Sequence, residues 1–147
     1  MFRKKVILTL TSVEREYRVA RLAVSDLLER ATNNPTILYA QGVVNSDVRA
    51  CRANSEITYL VRMFAVFEEA LRDVRRTMYR KNTAIKTYDL LQQCAARQGV
   101  PDHLRMDAHN VREFRNTIVH GGDAPAIPVP GARSSLCAFL GWMPPEW

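Results

Sequence analysis

The stretch "SEITYLVRMFAVFEEALRDVRRTM", Ser55 to Met78, decides the fold class, because its apolar residues recur at helical spacing. At about 100° per residue these side chains fall on one stripe, which a helix in a bundle buries against its neighbours. The pattern therefore predicts a long amphipathic helix. The residues of the stripe are Ile57, Val61, Phe64, Leu71, Val74 and Met78.

Further segments carry helix signals of the same kind. Spacings of three and four predict a first helix over residues 11–31. Another helix is predicted over residues 83–98, because Thr83 can cap its start and Gly99 and Pro101 follow its end. A helix that begins near Asp102 ends at two glycines, and "ARSSLCAFLGWM" predicts a last short helix. Residues 35–54 have no sustained period and are interpreted as a connection that could include one short helix. No segment has a strand pattern, so we expect an all-α four-helix bundle with a short extra C-terminal helix.

A chain of 147 residues is about the size of one domain. We expect a single domain over residues 1–147, with its core over about 11–122. The stretch 123–132 contains three prolines and is predicted to be a stiff linker, which leaves residues 133–147 as the C-terminal helix and tail.

The charge balance points to a polyanionic partner. Hydrophobic residues make up 47% of the chain, which argues against general disorder, and the net charge of +6 comes from 17 arginines against 4 lysines. The planar fork of arginine suits phosphate better than the point charge of lysine does. The alternative, that arginine is simply the usual surface cation of this protein, stays open at this point.

Targeting and metal-binding patterns are absent from the sequence. The apolar run in the opening "MFRKKVILTL" spans five residues, whereas a signal peptide needs about 7 to 15. No apolar run approaches the length of a membrane span, so we expect a cytoplasmic protein with no membrane partner. The three cysteines and three histidines have no ligand spacing, and neither a metal nor another cofactor is expected.

The helix predicted from Asp102 presents two stripes on a helical wheel. Its apolar stripe consists of Leu104, Ala108, Val111, Phe114 and Ile118. The opposite stripe is polar and cationic and is expected to face outward; it consists of Arg105, His109, Arg112, Asn116 and His120.

Arg115 lies on the apolar side of this helix, so we expect it to be partly desolvated and either paired or engaged in chemistry in a groove. Glu68 lies in the middle of the apolar stripe of the 55–78 helix. An inward glutamate and an inward arginine suggest an ion pair between Glu68 and Arg115. A buried bridge with no catalytic role is the alternative.

His120 occupies the last turn before Gly121 and Gly122, where the helix dipole favours an imidazolium and the backbone can unwind. On an ideal helix Arg115 and His120 point about 140° apart. Unwinding at the glycines, or a second copy of the site across a dimer axis, would bring them together.

The motif "RNTIVH", residues 115–120, resembles the signature of the HEPN superfamily, which has an arginine, a polar residue after it, and a histidine beyond four to six residues. The two glycines after the motif and the upstream "FAVFEEALR" are also similar to HEPN domains. The resemblance covers about residues 11–143, and its specific part is the six-residue motif.

The resemblance implies an all-α, usually dimeric, metal-independent ribonuclease of toxin-antitoxin, abortive-infection or other defence systems. His120 would be the general acid or base for attack of the ribose 2′-hydroxyl on the adjacent phosphate, which leaves a 2′,3′-cyclic phosphate. Arg115 would stabilise the charge developing on phosphorus, and Asn116 would orient the phosphate or the imidazole. An imidazole that titrates near neutral pH and a bidentate guanidinium suit this chemistry.

Basic residues elsewhere are candidates for an RNA track, with ordinary solvated helix faces as the alternative. They are Arg72, Arg76 and Arg80, stacked at four-residue intervals, together with Arg105, His109 and Arg112 beside the site. The second functional interpretation is a non-catalytic HEPN-like module that binds RNA or a partner protein such as a nucleotidyltransferase or an antitoxin. A third is a purely structural dimerisation bundle.

Overall fold

A computed structural model describes all 147 residues, and it confirms that the chain is all-α. The only β contact is one isolated bridge, between Phe2 and Glu146. No helix has both the length and the apolar character needed to span a membrane. The helices are α1 (Arg3–Asn33), α2 (Thr36–Tyr39), α3 (Asn45–Met78), α4 (Thr87–Gln98), α5 (Asp102–His120) and α6 (Val129–Leu140).

The two longest helices, α1 and α3, pack side by side in antiparallel directions. Glu16 on α1 pairs with Arg62 on α3 at 2.6 Å, and further along α1 Arg21 lines a groove with Arg52, which lies earlier on α3. Residue numbers therefore rise along one helix as they fall along the other. This pair forms the wall against which the other helices pack.

Both long helices begin earlier than the sequence predicted. Helix α1 starts at Arg3 rather than near residue 11, and its buried Val6 extends the apolar stripe toward the N-terminus. Helix α3 starts at Asn45 rather than Ser55, where the Asp47 carboxylate accepts a hydrogen bond from the backbone N–H of Val44 at 2.9 Å. The added turns of α3 are mostly exposed, so no apolar period marks them.

Helix α4 begins later than predicted, at Thr87 rather than Thr83. The loop before it is held by the buried guanidinium of Arg75, which donates to the backbone carbonyls of Lys81 and Thr83. The end of α4 is as predicted, since Gly99 adopts φ +66° directly after Gln98. The predicted bounds of α5 are also confirmed.

Helix α6 belongs to the core and begins inside the stretch predicted as linker. The ring of Phe139 on α6 meets that of Phe67 on α3 edge to face, with centroids 5.5 Å apart. Beyond α6, Trp147 is buried, and its indole N–H donates to Asp73 at 3.1 Å. The hydrophobic core therefore extends well past residue 122, because these later residues cover α3 and α1.

A buried carboxylate joins α1 to α6. Glu14 is 4% exposed and pairs with Arg18 one turn later at 2.5 Å, and its second oxygen pairs with Arg133 of α6. Burying a carboxylate is unfavourable unless cations compensate it, and two guanidinium groups do so here.

Candidate functional site

The second half of α5 carries a guanidinium that lacks an anionic partner. Arg115 is half-buried, and its Nη1 donates to the side-chain oxygen of Asn116 at 3.1 Å. Its Nε is buried and has no hydrogen-bond partner, and no carboxylate lies within 4.0 Å of the group. The partial desolvation expected for Arg115 is confirmed. A buried donor left unpaired costs about 1–3 kcal/mol, so the position of this arginine carries a stability penalty.

The predicted ion pair between Glu68 and Arg115 is wrong. The Glu68 carboxylate binds Arg72, one turn later on the same helix, at 2.5 Å, and it accepts a hydrogen bond from the Thr87 hydroxyl at 2.9 Å. A partner four residues away on one helix is in reach without any tertiary adjustment. Glu68 therefore attaches the start of α4 to α3 and leaves Arg115 without a carboxylate.

His120 is the last residue of α5, and its side chain is exposed. The helix does not unwind before it, because the N–H of Gly121 still bonds the carbonyl of Thr117 at 2.9 Å, and only then does Gly121 turn to φ +78°. His120 lies five positions after Arg115 on a regular helix, so the two side chains point about 140° apart. Unwinding within one chain does not bring them together.

The middle of the polar stripe of α5, at His109 and Arg112, does not face outward as predicted, because α4 packs over it, whereas His120 at its end is exposed. His109 is 6% exposed, and its ring lies against that of Tyr88 on α4 with centroids 4.8 Å apart. The side chain of Arg112 is 14% exposed, and its guanidinium lies 5.4 Å from the centre of the same tyrosine ring. These two residues are packing residues between helices, and an RNA strand has little access to them.

The environment of His109 disfavours its charged form. Both ring nitrogens are buried and have no hydrogen-bond partner. Burial lowers the pKa of His109, and the positive charges of Arg112 and Arg105 lower it further, while Glu113 opposes them. A neutral imidazole in such a position is not a phosphate ligand.

Most of the other predicted RNA contacts are already engaged within the chain. Arg105 binds the Asp102 carboxylate at 3.0 Å. Arg72 and Arg76 each pair with a carboxylate on α3. Arg80 is exposed, at φ +52°, and forms no salt bridge. Of the three arginines in the predicted α3 row, only Arg80 is thus free to meet a phosphate without losing a partner.

A second basic site was not predicted from the sequence. Arg21 of α1 and Arg49 and Arg52 of α3 line a groove of about 280 Å³, which we call the arginine groove. None of the three forms a salt bridge, and Arg21 contacts only the hydroxyl of Tyr17, at 3.4 Å. Residues 49 and 52 lay in the stretch interpreted as a connection. Their spacing of three residues was the signal that could have revealed the site.

An apolar depression adjoins the arginine groove. This apolar groove has a volume of about 230 Å³ and shares Ala53 and Glu56 with the arginine groove as a common border. Its α5 wall is formed by residues on either side of Arg115 in the sequence. The apolar side chains that line it include Ile57, Phe114, Ile118 and Ile127.

No three histidine, cysteine, aspartate or glutamate side chains lie close enough together to hold a metal ion. Comparison of the chain with protein-family models, with curated proteins and with solved structures gave no match.

Proposed function

We propose that the protein is a metal-independent endoribonuclease of the HEPN type. The observation that carries this proposal is the end of α5, where a half-buried Arg115 without a carboxylate partner precedes an exposed His120 by five residues. In this proposal the helices α1, α3, α4 and α5 form the HEPN-like four-helix bundle, and α6 completes its core.

The proposed reaction needs a base, an acid and a stabiliser of charge. The imidazole of His120 accepts the proton of a ribose 2′-hydroxyl as that oxygen bonds to the adjacent phosphorus. The bond from phosphorus to the 5′-oxygen breaks, that oxygen takes up a proton from water, and the product ends in a 2′,3′-cyclic phosphate; the protonated His120 then returns its proton to water. Arg115 stabilises the negative charge on phosphorus, and the Asn116 amide holds the guanidinium in position.

A homodimer is part of the proposal, because Arg115 and His120 diverge within one chain. A two-fold axis beside the end of α5 would set Arg115 of one protomer near the partner subunit's His120. Two equivalent composite sites would result. Following the resemblance, we assign the activity to a cytoplasmic toxin-antitoxin or phage-defence setting.

The second candidate is a non-catalytic HEPN-like module that binds RNA or a partner protein, such as an antitoxin or a nucleotidyltransferase. The regular helical backbone through His120 favours this alternative, since it keeps the two motif residues apart in a single chain. Binding would then use the unpaired arginines, and no cleavage would follow.

Incubation of a mixed RNA pool in EDTA distinguishes the two candidates. Wild type is expected to cleave, and His120→Ala and Arg115→Ala are each expected to lose roughly a hundredfold or more. His103→Ala is the matched control, because His103 is exposed on the first turn of the same helix. Equal activity in all variants, or loss of activity on chelation, would contradict the proposal, and binding without cleavage would support the module.

A further inference from the structure

The cations of the arginine groove have no counter-ions. Eight of the 17 arginines in the chain pair with a carboxylate, but Arg21, Arg49 and Arg52 do not. The one carboxylate that lines the groove belongs to Glu56, and it lies beyond 4.0 Å from all three guanidinium groups. Three positive charges that converge without an anion repel one another, and a bound anion would relieve that repulsion.

The walls of the arginine groove are held in place before any ligand binds. Glu16 and Arg62 join α1 to α3 nearby, and the rings of Tyr17 and Tyr59 meet edge to face with centroids 5.9 Å apart. Guanidinium groups from two fixed helices can bind the oxygens of one phosphate from two sides, or those of two successive phosphates. The two helices therefore need not rearrange on binding, although the exposed arginine side chains lose rotamer freedom.

The apolar groove next to it adds a second requirement on the ligand. A molecule that fills both grooves needs phosphate at one end and a flat apolar surface at the other, across the border at Ala53 and Glu56. An unpaired nucleotide has this form, whereas the bases of a duplex are stacked inside and out of reach. The far wall of the apolar groove is α5 at Phe114 and Ile118, so the groove ends on the helix that carries Arg115, although Arg115 itself does not line it.

We propose that the arginine groove binds the backbone phosphates of single-stranded RNA and that the apolar groove receives one of its bases. The choice of RNA rests on the proposed function, whereas anion binding follows from the groove itself. The site supplies the substrate contact that the packed Arg105, His109 and Arg112 do not.

The test measures binding of a labelled single-stranded oligoribonucleotide by fluorescence anisotropy in EDTA, with His120→Ala in every protein so that the RNA stays intact. The double variant Arg49→Gln, Arg52→Gln is compared with Lys4→Gln, Arg15→Gln, which removes two exposed cations that also form no salt bridge. The control removes the same charge from exposed positions of α1 outside the groove. Circular dichroism and thermal melting verify the fold of each variant.

The groove variant is expected to raise Kd by at least about tenfold, and the control by no more than about twofold. Its plot of log Kd against log salt should also become shallower by about 1.4, because each lost contact to a single strand contributes roughly 0.7. Equal weakening by the two double variants would overturn the proposal. Binding of free ADP as tight as that of the oligonucleotide would also overturn it.

Failure of this proposal is distinguishable from failure of the proposed function. If Arg49→Gln, Arg52→Gln binds RNA normally while wild type cleaves and His120→Ala does not, the groove assignment is wrong and the ribonuclease proposal stands. If the wild type binds through the groove and never cleaves, the groove assignment stands and the ribonuclease proposal is wrong.

Cross-linking locates the base. An oligoribonucleotide that contains 4-thiouridine is expected to cross-link to peptides covering residues 114–118 or 126–128, which line the apolar groove. Cross-links confined to the other basic surface, residues 72–84, would contradict the assignment.

Discussion

We expect the substitution His109→Phe to stabilise the protein, although it removes a histidine from the motif-bearing helix. The imidazole is 6% exposed, and both of its nitrogens are buried without a hydrogen-bond partner. A phenyl ring removes the unpaired polar groups and keeps the aromatic contact with Tyr88, whose ring centre lies 4.8 Å away.

The size of the expected stabilisation follows from the unpaired imidazole nitrogens that the substitution removes. A neutral imidazole has one donor and one acceptor, and a single buried group without a partner costs about 1–3 kcal/mol. The slightly larger phenyl ring offsets part of this through overpacking, by about 1 kcal/mol. We therefore expect the free energy of unfolding to rise by about 1–2 kcal/mol, which in a chain of this size raises Tm by a few degrees.

The pH dependence supplies an independent readout. Burial, then Arg112 and Arg105, lowers the pKa of folded His109 below the value of about 6.5 in an unfolded chain. Between these two pKa values the unfolded chain binds more protons than the folded chain does. The free energy of unfolding therefore does not depend on His109 titration above about pH 6.5, and it decreases as the pH falls below that value. His109→Phe should remove this part of the pH dependence.

Urea unfolding followed by circular dichroism at pH 7.5 and 5.5 measures both effects, with His103→Gln as the exposed control on the same helix. The difference between wild type and His109→Phe should be larger at pH 5.5. A fall of more than about 1 kcal/mol at pH 7.5 would mean that the imidazole nitrogens have partners, and the reasoning would then be refuted.

Three further predictions test other parts of the fold. Glu14→Gln removes the buried partner of Arg18 and Arg133, whose side chains are 64% and 31% exposed and can be hydrated, and should lower the free energy of unfolding by about 1–2 kcal/mol in urea; an unchanged free energy would contradict its role. Gly99→Ala, at φ +66°, should lower Tm because it costs about 1 kcal/mol, whereas Gly131→Ala on α6 should leave Tm unchanged or raise it; the opposite order would refute the turn argument. Burial raises the pKa of the Cys94 thiol to about 12, so at pH 8 the exposed Cys51 should react with maleimide while Cys94 does not, and mass spectrometry would detect early labelling of Cys94 as a contradiction.

The helices that the sequence predicted accurately are those with clear end signals. The ends of α5 follow from Pro101 before its start and Gly121 after its last residue, and both residues have unambiguous backbone preferences. The first turns of α3 have no such marker, because only Val48 is buried among residues 45–54 and an exposed helix shows no apolar period. The arginine groove was missed for the same reason.

The sequence predicted on which side of its helix Arg115 lies, but it did not predict which residues the candidate site side chains contact. A helical wheel places Arg115 on the apolar side, and the half-burial of this residue confirms that direction. The wheel does not show which helix packs on which face, so it could not reveal that α4 covers His109 or that Arg72 occupies the carboxylate of Glu68. Tertiary packing decides these partners, and the residue pattern within one helix does not show which other helix packs against it.

In the proposed homodimer, Arg115 and His120 act together across two chains. Mixing equal amounts of Arg115→Ala and His120→Ala protein tests it, because half of the resulting dimers contain one chain of each kind. A composite site then has both intact residues in one of its two copies, and the mixture should recover about a quarter of wild-type RNA cleavage in EDTA. No recovery, in a mixture shown to exchange subunits, would contradict the claim.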